Sequence, residues 1–237
     1  MNISRLLLFA IGAALAFSVS AADNTRYELD VKDFSELKVT DAINVDYRCN
    51  PDSAGKAVFY AAPEIASQIL FVPGTNKLEI QLAPDESGVR RNLPVVTVYS
   101  SYLTFAENSG DSTVRVLSVA PGPKFRARVI GNGRMVVRNV KATQVDASID
   151  TGKGSVVVYG EATSAKLTCT GTGSIQADEL KASTVKCSVW GTGTIGCWPQ
   201  ENLSVMGAGS GTVYYRGKPS IKNRSLGVKL SALEPAE

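Results

Sequence analysis

The chain has 237 residues, 44% of them hydrophobic and 20% charged, which excludes a disordered tail and a bundle of membrane helices and leaves room for one large domain. Lysine and arginine total 25 against 22 acids, too even a balance to mark a binder of nucleic acid or of an anionic membrane. Histidine is absent, so Ser-His-Asp and Cys-His catalysis, histidine-ligated zinc and histidine proton shuttles are all excluded.

Residues 1–22 stand apart. Arg5 is the only charge, Leu6 to Phe17 is an apolar run, and Ser18-Val19-Ser20-Ala21-Ala22 follows. This is the pattern of a secretory signal peptide cleaved after Ala21 or Ala22. The apolar run is shorter than the roughly 20 residues of a membrane span. A lipid anchor at the cleavage site would need a cysteine, and the first is Cys49. The expectation is a soluble exported chain that starts near residue 23, with its net charge lowered by one through the loss of Arg5.

From 23 to 107 the patterning is irregular. Phe34, Leu37, Val39, Ile43, Val45 and Tyr47 mark two short strands, and Leu78, Ile80 and Leu82 mark another. Pro63 to Ile69 fits a helical turn. Pro84 to Asn92, with Asp85, Glu86, Arg90 and Arg91, reads as a solvated loop. This part is expected to form irregular coils or a cap.

A repeat runs from 108 to 227. Fourteen of the 21 glycines lie between Gly131 and Gly217, and ten of them form five Gly-x-Gly units: Gly131 and Gly133, Gly152 and Gly154, Gly171 and Gly173, Gly191 and Gly193, Gly209 and Gly211. Their first members are 21, 19, 20 and 18 residues apart. Around each unit apolar and polar residues alternate, as in Leu167-Thr168-Cys169-Thr170 and Ser174-Ile175-Gln176-Ala177, so the flanks are strands with one buried and one wet face. Asn108-Ser109-Gly110 is a degenerate copy. The Gly152 unit breaks phase by one residue, which predicts a β-bulge near Asp150-Thr151.

Two short strands and two turns use about 20 residues, the size of one coil of a flattened β-solenoid. Such a coil buries its inner face only by stacking on its neighbours at about 4.8 Å. The glycines then serve as corners between two sheets, where the backbone nears the opposite wall and takes positive φ. The chain from 23 to 237 reads as one all-β domain.

These residues resemble the bacterial adhesins with a head GIN domain. The likeness rests on the Gly-x-Gly series, the ending Gly209-Ser210-Gly211-Thr212-Val213-Tyr214-Tyr215-Arg216-Gly217-Lys218-Pro219, and the opening Phe34-Ser35-Glu36-Leu37-Lys38-Val39 with Ala42-Ile43-Asn44-Val45. Ala42 stands where the family has glycine, and Ser225-Leu226-Gly227 stands where a last Gly-x-Gly is often found. The resemblance implies a right-handed, pectin-lyase-like β-helix with a role in adhesion, a trimeric assembly and no catalytic residues. The expected partner is a glycan or a cell-surface protein, and the expected place is the periplasm, the outer membrane surface or the outside of a Gram-negative cell.

Gly191-Thr192-Gly193-Thr194-Ile195-Gly196 matches the dinucleotide fingerprint, but Cys197-Trp198-Pro199 follows where a helix should open. Asp111, Asp146, Asp150, Asp178 and Glu179 are the carboxylates available to a lyase or hydrolase. With Cys169 and Val189 aligned to Asp150, no carboxylate column forms. No metal or cofactor is expected. Cys187 and Cys197, each five residues from Thr192, should face each other across the coil, as a disulfide or as buried thiols. Cys187 should stand over Leu167, which disfavours a bridge to Cys169. Trp190, Trp198, Tyr214 and Tyr215 gather near the last coils, and Trp190, Trp198 and Tyr214 have outward parity. They are the candidate contacts for a sugar or a subunit. The polar flanks at Thr168, Thr170, Thr172, Ser174, Thr192 and Thr194 read as the ordinary wet side of a sheet, although a flat hydroxyl-rich surface can also bind a repetitive polymer.

Overall fold

The computed structural model describes residues 24–84 and 93–233. The signal-peptide reading and most of the loop read at 84–92 fall outside these residues. The chain opens with β1 (Thr25–Asp30), β2 (Glu36–Val39), β3 (Val45–Cys49) and β4 (Lys56–Ala61), then makes a single helical turn, α1 (Pro63–Ala66). Next come β5 (Ile69–Pro73), β6 (Lys77–Leu82), β7 (Val96–Ser100), β8 (Phe105–Asn108) and β9 (Thr113–Val116). The repeat region supplies β10 (Gly122–Val129), β11 (Arg134–Ile149), β12 (Ser155–Gly171), β13 (Ser174–Gly191), β14 (Thr194–Ala208), β15 (Thr212–Tyr215), β16 (Ser220–Leu226) and β17 (Lys229–Ala232).

The strands stack in parallel as a β-solenoid of about six turns with coils of about 20 residues. Strands β11 to β14 each run through a bend, so the first half of each lies in one wall and the second half in the other. Wall A contains β6, β2, β8 and β10, the second halves of β11 to β14, and β16. Wall B contains the first halves of β11 to β14, then β15 and β17.

Because the register is parallel and the side-chain period is two, like positions stack into columns. In wall A, Ala147, Leu167, Cys187 and Val205 are successive partners; in wall B, Met135, Val156, Ile175, Ile195 and Val213 are. All nine are buried. Cys187 does stand over Leu167.

The Gly-x-Gly corners join the walls, and the two glycines of a unit are needed for different reasons. Gly191 has φ +124, and a Cβ there would lie 2.6 Å from the carbonyl oxygen of Gly171 in the preceding rung. Gly193 has no positive φ, but its Cβ would lie 2.4 Å from Cys169 Sγ and 2.8 Å from Gly173 O. The crowding comes chiefly from the rung below, not from the opposite wall as expected. The gain is a ladder through the corner: Thr192 N and Gly193 N both donate to Gly171 O at 3.0 Å, and Thr194 N donates to Gly173 O at 3.0 Å. The column extends past the five units, since a Cβ on Gly227 would meet Gly209 O at 2.5 Å.

The expected bulge at Asp150-Thr151 is not a bulge. Ile149 pairs with Cys169, and pairing resumes at Ser155 with Ser174, so the extra residue is absorbed in the corner loop 150–154. The register shifts lie at the other bend, between Val137 and Val140, between Val157 and Tyr159, and between Ala177 and Lys181. The insertion also changes the alignment used for the carboxylates: Cys169 stacks on Ile149, not on Asp150.

The N-terminal region forms three more rungs in an order unlike that of the chain. The rung made by β6 and β7 is outermost, the one made by β2 and β3 lies beneath it, and the one made by β8 and β9 follows. Antiparallel strands close this end: β5 on β6, β4 on β7, and β1 on β4. They occupy the edge that an open solenoid would present. The weak copy at 108 works as a polar bracket. Buried Asn108 donates to Ser112 O at 2.8 Å and Arg134 O at 3.1 Å, and accepts from Gly110 N at 3.1 Å. Tyr47 is fully buried, with its hydroxyl 2.8 Å from Ser100 Oγ.

Two stability outcomes follow. Gly191→Ala and Gly193→Ala should each cost about 1–3 kcal/mol, the first through strained φ and the second through overpacking. Leu167→Ala, in the middle of its column, should cost about 2–5 kcal/mol. Urea titration followed by circular dichroism measures both.

Candidate functional site

The interior is filled by side chains, so any contact with another molecule is made on the outer walls or at the bends. On wall A the charges of the N-terminal half neutralise one another. Arg128 joins Glu107, at 3.2 Å, to Asp150. Lys38 reaches Glu79 at 3.5 Å and Glu107 at 3.7 Å, Lys124 reaches Asp146 at 2.7 Å, and Arg126 reaches Glu36 at 3.7 Å. A hydrogen bond from Lys77 holds Glu79 below the usual carboxylate range, and Asp150 raises the Arg128 guanidinium. A depression of about 210 Å³ opens among these residues, lined by Glu36, Lys38, Lys77, Phe105 and Glu107.

The carboxylates singled out from the sequence are scattered. Asp146 is held by Lys124 and Gln144, Asp150 by Arg128, and Asp178 by Arg216 at 3.1 Å. Asp111 and Glu179 are exposed. Among the described residues no three His, Cys, Asp or Glu side chains gather as a metal site would require.

The four aromatic candidates are not brought together. Trp190 sits on the outer face of wall A, 49% exposed, and Tyr214 on the outer face of wall B, 38% exposed. Trp198 lies at the bend after β14 leaves wall B, half-buried, with Lys181 Nζ 5.0 Å and the Arg216 guanidinium 5.7 Å from its ring. Tyr215 packs against the core. Sequence reading missed Met206, 51% exposed, and Leu226, 78% exposed, both on wall A beside the Trp190 row. Their outward parity was legible, but neither is aromatic or titratable.

Cys187 in wall A and Cys197 in wall B face each other across the interior with their sulfurs 3.9 Å apart, as two thiols. Their mutual contact and burial push the Cys187 thiol well up. Cys169 donates to Gly173 O at 3.4 Å and Cys49 to Ser101 O at 3.3 Å.

The family model described as "Putative auto-transporter adhesin, head GIN domain" matches residues 33–219. The chain belongs to that family. The head GIN fold recurs in solved structures. One, named a putative adhesin from Bacteroides fragilis, shares 22% identity at a TM-score of 0.79, covering 90% of this chain and 98% of that one. A putative adhesin from Parabacteroides distasonis shares 21% at 0.72, covering 89% and 97%. A third, from the same species, is named a putative lipid binding protein and shares 16% at 0.69, covering 90% and 98%. A search of the curated proteins gave no match. No helix among the described residues is long and apolar enough to cross a membrane.

The paired charges set an acid response. Glu79 has a lowered folded-state pKa, so its contribution is present above the ordinary value of 4.5 and is lost as pH falls through the lowered one. Lys77→Met should reduce the difference in thermal midpoint between pH 6 and pH 3. The change corresponds to under about 1 kcal/mol, as for surface pairs generally, and differential scanning calorimetry measures it.

Proposed function

We propose that this chain is an exported, non-catalytic binding protein of the adhesion type, offering the outer walls of a rigid stack to a glycan or a cell-surface protein. The observation that carries this reading is the family match over residues 33–219, joined to two similar structures that are themselves named putative adhesins. The alternative, a polysaccharide lyase or hydrolase using surface aspartates, needs a free acid and base near one another. Asp146, Asp150 and Asp178 are each engaged by a cation, which supports the passive reading. The signal-peptide pattern of residues 1–22 supports export. Repeated weak contacts along the stack, multiplied in a homo-oligomer, would supply avidity.

Tyr214 is the aromatic contact on wall B, since its ring is exposed while those of Trp198 and Tyr215 are taken up by packing. Adherence of beads coated with the purified chain to glycan arrays and to whole cells should be measurable. Tyr214→Ala should lower it about tenfold, the order expected when an aromatic anchor is truncated. Trp198→Phe should leave it nearly unchanged. Equal adherence of Tyr214→Ala and the parent would remove Tyr214 from the contact. Hydrolysis or elimination products from any of the arrayed polysaccharides would overturn the non-catalytic reading.

Export also bears on the cysteines. In an oxidising compartment Cys187 and Cys197 are placed to form a disulfide across the coil. The two thiols would pass two electrons and two protons to the disulfide of an exchange partner, which is itself reduced to a dithiol. Peptide mapping of the exported protein without reductant should recover one cross-linked peptide pair. Recovery of both as alkylatable thiols after unfolding would contradict the bridge.

A further inference from the structure

Net charge over the whole chain conceals an uneven distribution along wall A. The N-terminal rungs carry both signs, joined by the ion pairs described above. In the last four rungs the wall A stretches 164–170, 184–190, 202–208 and 220–226 contain no Asp or Glu, and Glu201 borders the third of them. Their outer face bears Lys166, Lys186, Lys222 and Arg224, all exposed and, among the described residues, without an ion-pair partner. The same face carries the apolar side chains of Trp190, Met206 and Leu226.

The register shows how these residues lie. Lys166 pairs with Lys186, Lys186 with Ser204, and Ser204 with Lys222. One step along the wall, Ser188 pairs with Met206 and Met206 with Arg224; one step further, Trp190 pairs with Ala208 and Ala208 with Leu226. Rungs are about 4.8 Å apart and alternate residues along a strand about 7 Å apart. Cations and apolar groups therefore share one flat patch roughly 15 Å on a side.

We propose that this patch docks the protein on an anionic lipid surface. The cations would sit among the headgroup charges while Trp190, Met206 and Leu226 enter the boundary between headgroups and acyl chains. Two properties favour that occupant. Aliphatic Met206 and Leu226 gain by leaving water for acyl chains and have nothing to offer a hydroxyl-rich glycan. The unpaired cations match an anionic interface and would repel a second copy of the same face related by a twofold axis. The proposal goes beyond the adhesion reading: it leaves wall B and Tyr214 free, so one face can hold the protein on a membrane while the other meets a partner.

The test uses the full chain and extruded vesicles of phosphatidylcholine, with and without 30 mol% phosphatidylglycerol. Trp198→Phe leaves Trp190 as the only tryptophan, and its emission should shift to shorter wavelength with the anionic vesicles alone. Partitioning, measured by co-sedimentation, should fall about fivefold for each of Lys186→Gln and Arg224→Gln and about tenfold for Trp190→Ala, with added salt weakening the parent. Tyr214→Ala should partition like the parent while losing adherence, which separates failure of this proposal from failure of the adhesion reading. Lys186, Trp190, Tyr214 and Arg224 face outward, so an unchanged thermal midpoint verifies that each variant at these positions is folded.

Absence of sedimentation with anionic vesicles would overturn the proposal. So would binding to soluble dextran sulfate that is as tight as to vesicles and insensitive to Trp190→Ala, the behaviour of a polyanion site. Concentration-dependent self-association abolished by Trp190→Ala, without vesicle binding, would assign the face to a second copy instead.

Discussion

The structure depends on one contact repeated at every corner: the carbonyl of a glycine in one rung accepts from the backbone of the next. Gly171 O takes two such bonds, from Thr192 N and Gly193 N, so the hydrogen-bond ladder passes through the turn without interruption. A side chain on Gly191 would occupy the space next to that oxygen. Corners closed in this way fix rung spacing on both walls at once, and fixed spacing lets inward side chains from different rungs align into columns. Everything outward-facing is then placed by the same register, which is why surface patterns on this molecule read as rows.

The two ends meet the edge problem differently. At the N-terminal end, β1, β4 and β5 turn antiparallel and cover the outermost rung. At the other end the inward columns turn polar: Val205 pairs with Asn223 and Gly207 with Ser225. Asn223 Oδ1 accepts from both Ser225 N and Ser225 Oγ, which satisfies these groups where the apolar column stops. Lys222 and Arg224 charge the edge strand itself, which opposes unplanned strand pairing. The charge asymmetry of wall A thus has a role in keeping the stack finite, apart from any ligand.

Much of this was legible before the fold was known because the governing pattern is local and repeated. A Gly-x-Gly every 20 residues or so, with alternation between, specifies coil length, inward positions and even the placing of Cys187 over Leu167. Two features were not legible. The β6 and β7 rung lies outside the β2 and β3 rung because parallel partners are chosen by long-range packing, and no residue in those short strands encodes its neighbour. The extra residue at 150–154 could not be assigned to strand or corner, since a change of phase looks the same in either place. At the surface, alternation separated inside from outside but not one wall from the other. It therefore does not separate Trp190 from Tyr214, which lie on opposite walls, and it gives Trp198 outward parity although the bend places that ring between Lys181 and Arg216. Total charge likewise does not reveal a basic patch whose charge is balanced elsewhere in the chain.

The continuity of the corner ladder is tested most directly by hydrogen exchange of the intact protein, resolved at single amides by NMR. The account predicts that Thr192, Gly193 and Thr194 exchange as slowly as the strand amides of Cys187 and Val189 in the same rung, opening only with the whole stack. Corner amides that exchange orders of magnitude faster than those strands would show that the rungs are held by their walls alone, and would contradict it.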